Sequence, residues 1–149
     1  MKVEGMDLFY SEGTSGSVKK AGCLFELDLG TDSVEGRERV CIGASSNRSE
    51  AGKFAWGQMT IGVDFDNLDA YEDFKEFFKN RTNDIQLCVA LGDGTATPTL
   101  SSGSWSATDR SLLTMTGYVE SVQWGSDDNG NWQGTFTVQR QSGVEEDFA

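Results

Sequence analysis

The chain has 149 residues, 37% hydrophobic and 24% charged, with a net charge of −12 and no histidine. That length buries a core of about two thirds of the unfolded surface, and no apolar run approaches the ~20 residues of a membrane span. The charge repels nucleic acid and anionic membrane, while the missing histidine removes the commonest general base and transition-metal ligand.

The first ten residues, MKVEGMDLFY, lack the basic and long apolar regions of a secretion signal and end in a short strand, DLFY. Residues 23–29 (CLFELDL) set Cys23, Phe25, Leu27 and Leu29 on one face of a second strand. Residues 30–57 read as a long loop with one strand candidate at 39–43, followed by ASSNRSEAGKFAWG. Loops of this length in compact domains tend to be functional or mobile. Residues 58–65 alternate cleanly, with Met59, Ile61, Val63 and Phe65 opposite Gln58, Thr60, Gly62 and Asp64.

Residues 64–81 (DFDNLDAYEDFKEFFKNR) break the β pattern with one amphipathic helix. Ala70, Tyr71, Phe74, Phe77 and Phe78 fall within about 120° of arc at 100° per residue. Asp69 and Glu72 read as an N-cap and its reciprocal partner, and Glu72/Lys75 and Glu76/Lys79 add weak pairs. The face formed by Tyr71, Phe74, Phe77 and Phe78 must rest on something apolar, so Phe74 and Phe78 are expected to be buried.

Residues 85–91 alternate again through Ile85, Leu87, Val89 and Leu91, and residues 92–111 form a second long loop rich in Gly, Ser and Thr. Residues 113–124 and 132–140 are alternating runs that flank Asn129-Gly130, a strong hairpin signal. The apolar register of the first run changes sides near Gly117, which predicts a bulge or bend there. The expected fold is mainly β: a single domain over residues 1–149, an antiparallel β-sandwich or partial barrel with one helix plugging an open end.

Chemistry is hard to assemble from these residues. Asp64 and Asp66 read as a helix lead-in, and Asp127 and Asp128 as a hairpin tip, rather than as an acid/base pair. DDNGN lacks the glycine position of a calcium loop, and GDGTAT lacks the lysine and helix of a phosphate loop. Cys23, Cys41 and Cys88 are widely spaced in apolar segments and read as buried, reduced thiols, not metal ligands. Asn47-Arg48-Ser49 and Asn80-Arg81-Thr82 match a glycosylation sequon but carry no meaning without secretion. No enzyme activity, cofactor or metal is expected. Trp56, Trp105, Trp124 and Trp132 offer an alternative, a carbohydrate-binding or other ligand-binding β-sandwich. The simpler accounts are a Trp124–Trp132 cross-strand pair and partner anchors at Trp56 and Trp105.

Taken in order, DLFY, AGCLFELDL, a long polar loop, GQMTIGVDFDN, the acidic helix, IQLCVAL and GYVESVQWGSDDNGNWQGTFTVQRQSG form a recognisable series. It resembles the major tail proteins, or tail tube proteins, of long-tailed bacteriophages over nearly the whole chain. The match is densest from Gly117-Tyr118-Val119 through Gly130-Asn131-Trp132 to Gly143. The 92–111 insert is longer than the family's usual link, and the acidic C-terminus is not diagnostic.

The resemblance implies a structural subunit of a virion tail, folded and assembled in the host bacterial cytoplasm. Six subunits would form a ring, and stacked rings a hollow tube for DNA passage. Partners would be other copies of itself, the tail tip or initiator, the terminator and the tape-measure protein, with DNA passing unbound and no membrane insertion. Edge strands become pairing edges between subunits. The 30–57 loop would reach onto neighbours through Ser45, Ser46, Asn47, Lys53, Phe54 and Trp56. A lining without cations lets DNA slide, and the strand faces opposite the core supply candidates for it: Thr60, Asp64, Thr135, Thr137 and Gln139, together with Gln86, Thr114, Thr116 and Gln133.

Overall fold

A computed structural model of the chain describes residues 6–14, 17–21, 24–39, 48–64, 68–126, 128–130 and 132–149. Within them, the side chains at 25, 35–39, 48–54, 64 and 68 lie outside the description. The elements in order are β1 (Asp7–Ser11), β2 (Lys19–Ala21), β3 (Leu24–Asp28), β4 (Ser33–Arg39), β5 (Arg48–Ala55) and β6 (Gln58–Asp64). Helix α1 (Leu68–Asn80) follows, then β7 (Ile85–Ala90), β8 (Thr99–Ser101), β9 (Ser104–Ser106), β10 (Leu112–Ser126), β11 (Trp132–Arg140) and β12 (Glu145–Asp147).

The main sheet runs β2-β1-β7-β10-β11-β6-β3, all antiparallel, with β12 attached to β10. β10 organises it. Its residues 112–117 pair with β7 and residues 117–126 with β11, so the strand changes neighbours at Gly117. The expected bulge falls just beyond, between Val119 and Ser121, with Glu120 as the extra residue.

One face of this sheet buries Leu8 and Tyr10 from β1, Leu87 and Val89 from β7, Phe136 and Val138 from β11, and Met59, Ile61 and Val63 from β6. All share one core with Tyr71, Phe74 and Phe77 of α1. Four strand spacings separate β1 from β6, about 19 Å in a flat sheet, while a helix is only about 10–12 Å wide. The sheet therefore curls around the helix. This is a partial barrel with a helical plug, not two sheets packed face to face.

The aromatic contacts fix the helix. Phe74 lies 4.9 Å from Tyr10 and 5.5 Å from Phe136 between ring centres, and Tyr71 lies 5.9 Å from Phe136. A Cβ at Gly134 would come 2.7 Å from the Tyr71 ring, so only glycine allows this approach. The Tyr10 hydroxyl donates to the Asp73 carboxylate at 2.6 Å, and Lys19 pairs with the same oxygen at 3.1 Å. Burial beside that carboxylate pushes the Tyr10 phenol well above its ordinary range.

Two expectations for the helix are corrected. It begins at Leu68, so Asp69 lies in the first turn rather than at the cap, where its charge still suits the helix dipole. Phe78 is 38% exposed. β7 starts at Ile85 opposite Gly117, so among the described residues no strand lies beyond Gly117 on that side to cover the Phe78 ring.

β7 is buried on both faces, which corrects the half-exposed reading of 85–91. Its reverse face, with Phe9 and Leu112, packs under Leu100 and Trp105 of the β8–β9 hairpin. Cys88 lies in this second cluster as a free thiol, pushed up to about 12 by burial even though Arg110 opposes the shift. Cys23 and Cys41 lie outside the described residues. The two long loops are also corrected: 92–111 carries β8 and β9, and 30–57 carries the β4–β5 hairpin, a separate two-stranded sheet.

Candidate functional site

The reverse face of β3, β6, β11 and upper β10 (residues 118–126) is polar. Cross-strand register aligns Asp28, Thr60, Thr137 and Ser121 in one row, and Glu26, Gly62, Thr135 and Gln123 in the next. Gln58, Gln139 and Tyr118 form a third row, beside which the Gln58 amide donates to Glu120 at 2.7 Å. No lysine or arginine stands in these rows. Thr60, Thr135, Thr137 and Gln139 thus lie together on one surface, each half-buried. Asp64 is in register with Gln133, but its side chain lies outside the description. Gln86 does not join them in the open. It is buried and donates to the Asp84 carbonyl at 3.2 Å, with Thr114, Thr116 and Trp105 around the same small cavity.

The β4–β5 arm is anchored at its base by one buried arginine. Arg140 occupies a core-face position of β11, opposite Gly117, with its side chain only 2% exposed. It forms an ion pair with Asp32, donates from Nε to the Leu29 carbonyl at 2.9 Å and from its backbone to the Gly57 carbonyl at 3.2 Å. Asp32 also accepts the Gly57 amide at 2.8 Å. Gly30 has φ of +79°, and a Cβ there would overlap the Gln58 backbone. Both ends of the arm are thus tied to the same point. Trp56 sits at this base, 40% exposed, with its carbonyl accepting from Gln139 at 3.0 Å and its ring against Gly143. Ser45, Ser46 and Asn47 lie outside the described residues. Lys53 and Phe54 are in β5, with Phe54 in register with Val34, and their side chains are outside the description.

A second buried arginine does the same for the other long loop. Arg110 donates to the carbonyls of Leu91 and Ala96, each at 2.9 Å, and pairs with Asp7 at 2.9 Å. Asp93 accepts from both the amide and the hydroxyl of Ser111, at 3.0 and 2.6 Å. Sequence reasoning missed both arginines. The signal was present for Arg140, which continues the Phe136, Val138 alternation with a charge.

The Arg140–Asp32 pair yields a test. Hydrogen bonds from Arg140 and then Gly57 hold the Asp32 carboxyl below its ordinary value. A depressed folded value gives stability that is full above the unfolded pKa, about 3.9, and lost as pH falls through the folded value. Asp32→Asn should therefore lower the melting temperature at neutral pH, and the gap to wild type should close in acid. Arg140→Ala should cost more, about 2–4 kcal/mol, because it also leaves the part-buried carbonyls of Leu29 and Ser142 without their side-chain donor. Thermal melts across pH check both; a gap that widens in acid would exclude this role for Asp32.

The tryptophans do not form a shared platform. Trp105 is buried in the second cluster, and Trp56 lies at the arm base. Trp124 is in register with Gly134, and Ser126 with Trp132, so the two indoles are diagonal neighbours at the hairpin tip and not a directly opposed pair. The carbohydrate-binding alternative loses the geometry it required.

Comparison with known proteins agrees with this architecture. The family described as phage tail tube, TTP, lambda-like matches residues 1–148. Structural protein 3 of Pseudomonas phage PAJU2 is 28% identical over 130 residues, covering 83% of this chain and 79% of that protein. Among solved structures, a chain from the tail of an empty gene transfer agent particle, refined with C6 symmetry, superposes with a TM-score of 0.65 at 11% identity, covering 97% of each chain. A chain from the six-fold symmetrised baseplate of the anti-feeding prophage gives 0.60 at 10% identity, covering 96% of this chain and 91% of that one. At such identities the structures establish the fold alone, and the family match over nearly the whole length carries the assignment. The chain belongs to the lambda-like phage tail tube protein family.

Proposed function

We propose that this chain closes into six-membered rings that stack into a tube for DNA, with the polar face of β3, β6, β11 and β10 lining the channel. The observation that carries this is the two-sidedness of those four strands. One face is sealed by the helix and the core, and the other presents Thr, Gln and carboxylates in register without a cation. A lining that binds phosphate would hold DNA through counterion release, whereas this one gives it nothing to bind. The six-fold assemblies containing similar folds support the ring number.

Among the described residues, the β4–β5 arm pairs with neither of the other sheets. In the ring it extends from the Arg140 anchor onto a neighbouring subunit. Initiator, terminator and tape-measure proteins complete the tail, and assembly takes place in the bacterial cytoplasm. The channel lining is structural, and no catalytic step is assigned to it. Electron microscopy of concentrated protein, with and without its tail-tip partner, should show six-fold rings or tubes. Monomers under all of these conditions would overturn the proposal.

A further inference from the structure

Two features at opposite ends of upper β10 have no role within one chain. The first is the β10–β11 tip, where Trp124 and Trp132 are 50% and 48% exposed on the same face and Asp128 is exposed in the turn. The second is a groove of about 510 Å³ between the helix C-terminus and β10, lined by Phe78, Lys79, Arg81, Asn83, Tyr118 and Glu120. Beyond Gly117, β10 pairs with β11 only, so among the described residues the edge beside this groove has no strand partner. Apolar surface, free backbone groups and two cations converge there.

Arg81 is the unusual residue. The helix ends with Thr82 N–H donating to the Phe77 carbonyl at 3.1 Å and Arg81 N–H to the Phe78 carbonyl at 3.4 Å. This is the Schellman arrangement, whose left-handed position normally holds glycine. Arg81 occupies it at φ +53°. Cations near a helix C-terminus suit the dipole, which accounts for Lys79. It does not account for an arginine in a strained backbone position beside an exposed phenylalanine. Neither Lys79 nor Arg81 forms an ion pair among the described residues, while Glu120 already accepts from Gln58.

We propose that the β10–β11 tip of one copy docks into this groove on a second copy, its tryptophans against Phe78 and Tyr118 and Asp128 against Lys79 and Arg81. Six residue steps along β10 lead from Tyr118 to Trp124, about 20 Å, so a chain cannot fill its own groove. The contact is heterologous, joining two different patches, and such contacts propagate into closed rings or extended stacks. It deepens the self-assembly proposed above by naming one pair of surfaces.

The test compares wild type, Arg81→Gly, Lys79→Glu/Arg81→Glu, Asp128→Lys and the combined charge swap by sedimentation velocity and electron microscopy. Arg81→Gly should leave the melting temperature unchanged or higher, since glycine relieves the strained φ, yet raise the concentration needed for assembly by about tenfold. The charge-reversal variants should each stay folded and monomeric, and the combined swap should assemble again. Assembly at wild-type concentrations by all variants would overturn the contact and leave the tube proposal standing. Failure of the swap to restore assembly, with every variant folded, would also overturn it and would favour another tail protein as the groove's occupant. Irregular aggregates that still obey the charge swap would uphold the contact and sink the tube proposal. No self-association by wild type would sink both.

Discussion

Phe74→Ala should destabilise the subunit by about 3–5 kcal/mol, a large share of the margin of a domain of this size. Phe74 is fully buried and touches Tyr10 on one side of the curled sheet and Phe136 on the other. Truncating it opens a cavity between elements that cannot both move inward, because the helix is already held by Asp73 and by the close approach of Tyr71 to Gly134. Phe78→Ala, on the same helix face, should cost under about 1 kcal/mol, since its ring is part-exposed and rests beside a groove. Lys75→Ala should also cost little, about 0.5–1 kcal/mol, for the loss of a cation over the Tyr71 ring at 5.7 Å. Denaturant unfolding of the three variants checks the order. Similar losses for Phe74 and Phe78 would mean that the helix sits differently on the sheet.

That contrast also shows what periodicity can and cannot reveal. The 3.6-residue spacing identified the helix and its inward stripe, because Tyr71, Phe74 and Phe77 are buried by the packing the pattern implies. It could not reveal that the sheet ends short of Phe78, because a helix pattern carries no information about the length of the strand beneath it. The same limit explains 85–91, where alternation suggested one wet face. The second apolar cluster under Trp105 depends on a hairpin at 99–106 whose residues are mostly Ser and Thr. The arm was illegible for a related reason. SVEGRER and RSEAGKFA have no apolar alternation, as befits two strands that, among the described residues, pair with each other and join no larger sheet. The polar face was legible residue by residue, since Thr60, Thr135 and Thr137 fall opposite core positions. Their alignment into rows required the register, which sequence does not print.

Thr137→Lys places a cation at the centre of the polar face, between Thr60 on β6 and Ser121 on β10. The fold should tolerate it within about 0.5 kcal/mol, because a half-exposed strand position accepts a long side chain that can reach water. In a tube, the substitution recurs in every subunit of every ring, so one change becomes a continuous ladder of positive charge along the DNA path. Each phosphate neutralised steepens the salt dependence of binding by about 0.9 in log–log slope, and many contacts act on the same duplex. Particles built from this subunit should adsorb normally and eject DNA far more slowly. Raising salt should restore much of the rate, both by counterion competition and by screening the new charges. Thr60→Lys and Thr135→Lys should behave alike, since they stand in the same or the adjoining row. Glu72→Lys, exposed on the helix, should leave ejection unchanged. Ejection kinetics measured across salt concentrations separate these outcomes. If all three lysine variants assemble and eject at the wild-type rate at low salt, the channel is lined by some other face. If instead Glu72→Lys alone slows ejection with salt-sensitive kinetics, the subunit is turned inside out relative to the arrangement proposed here.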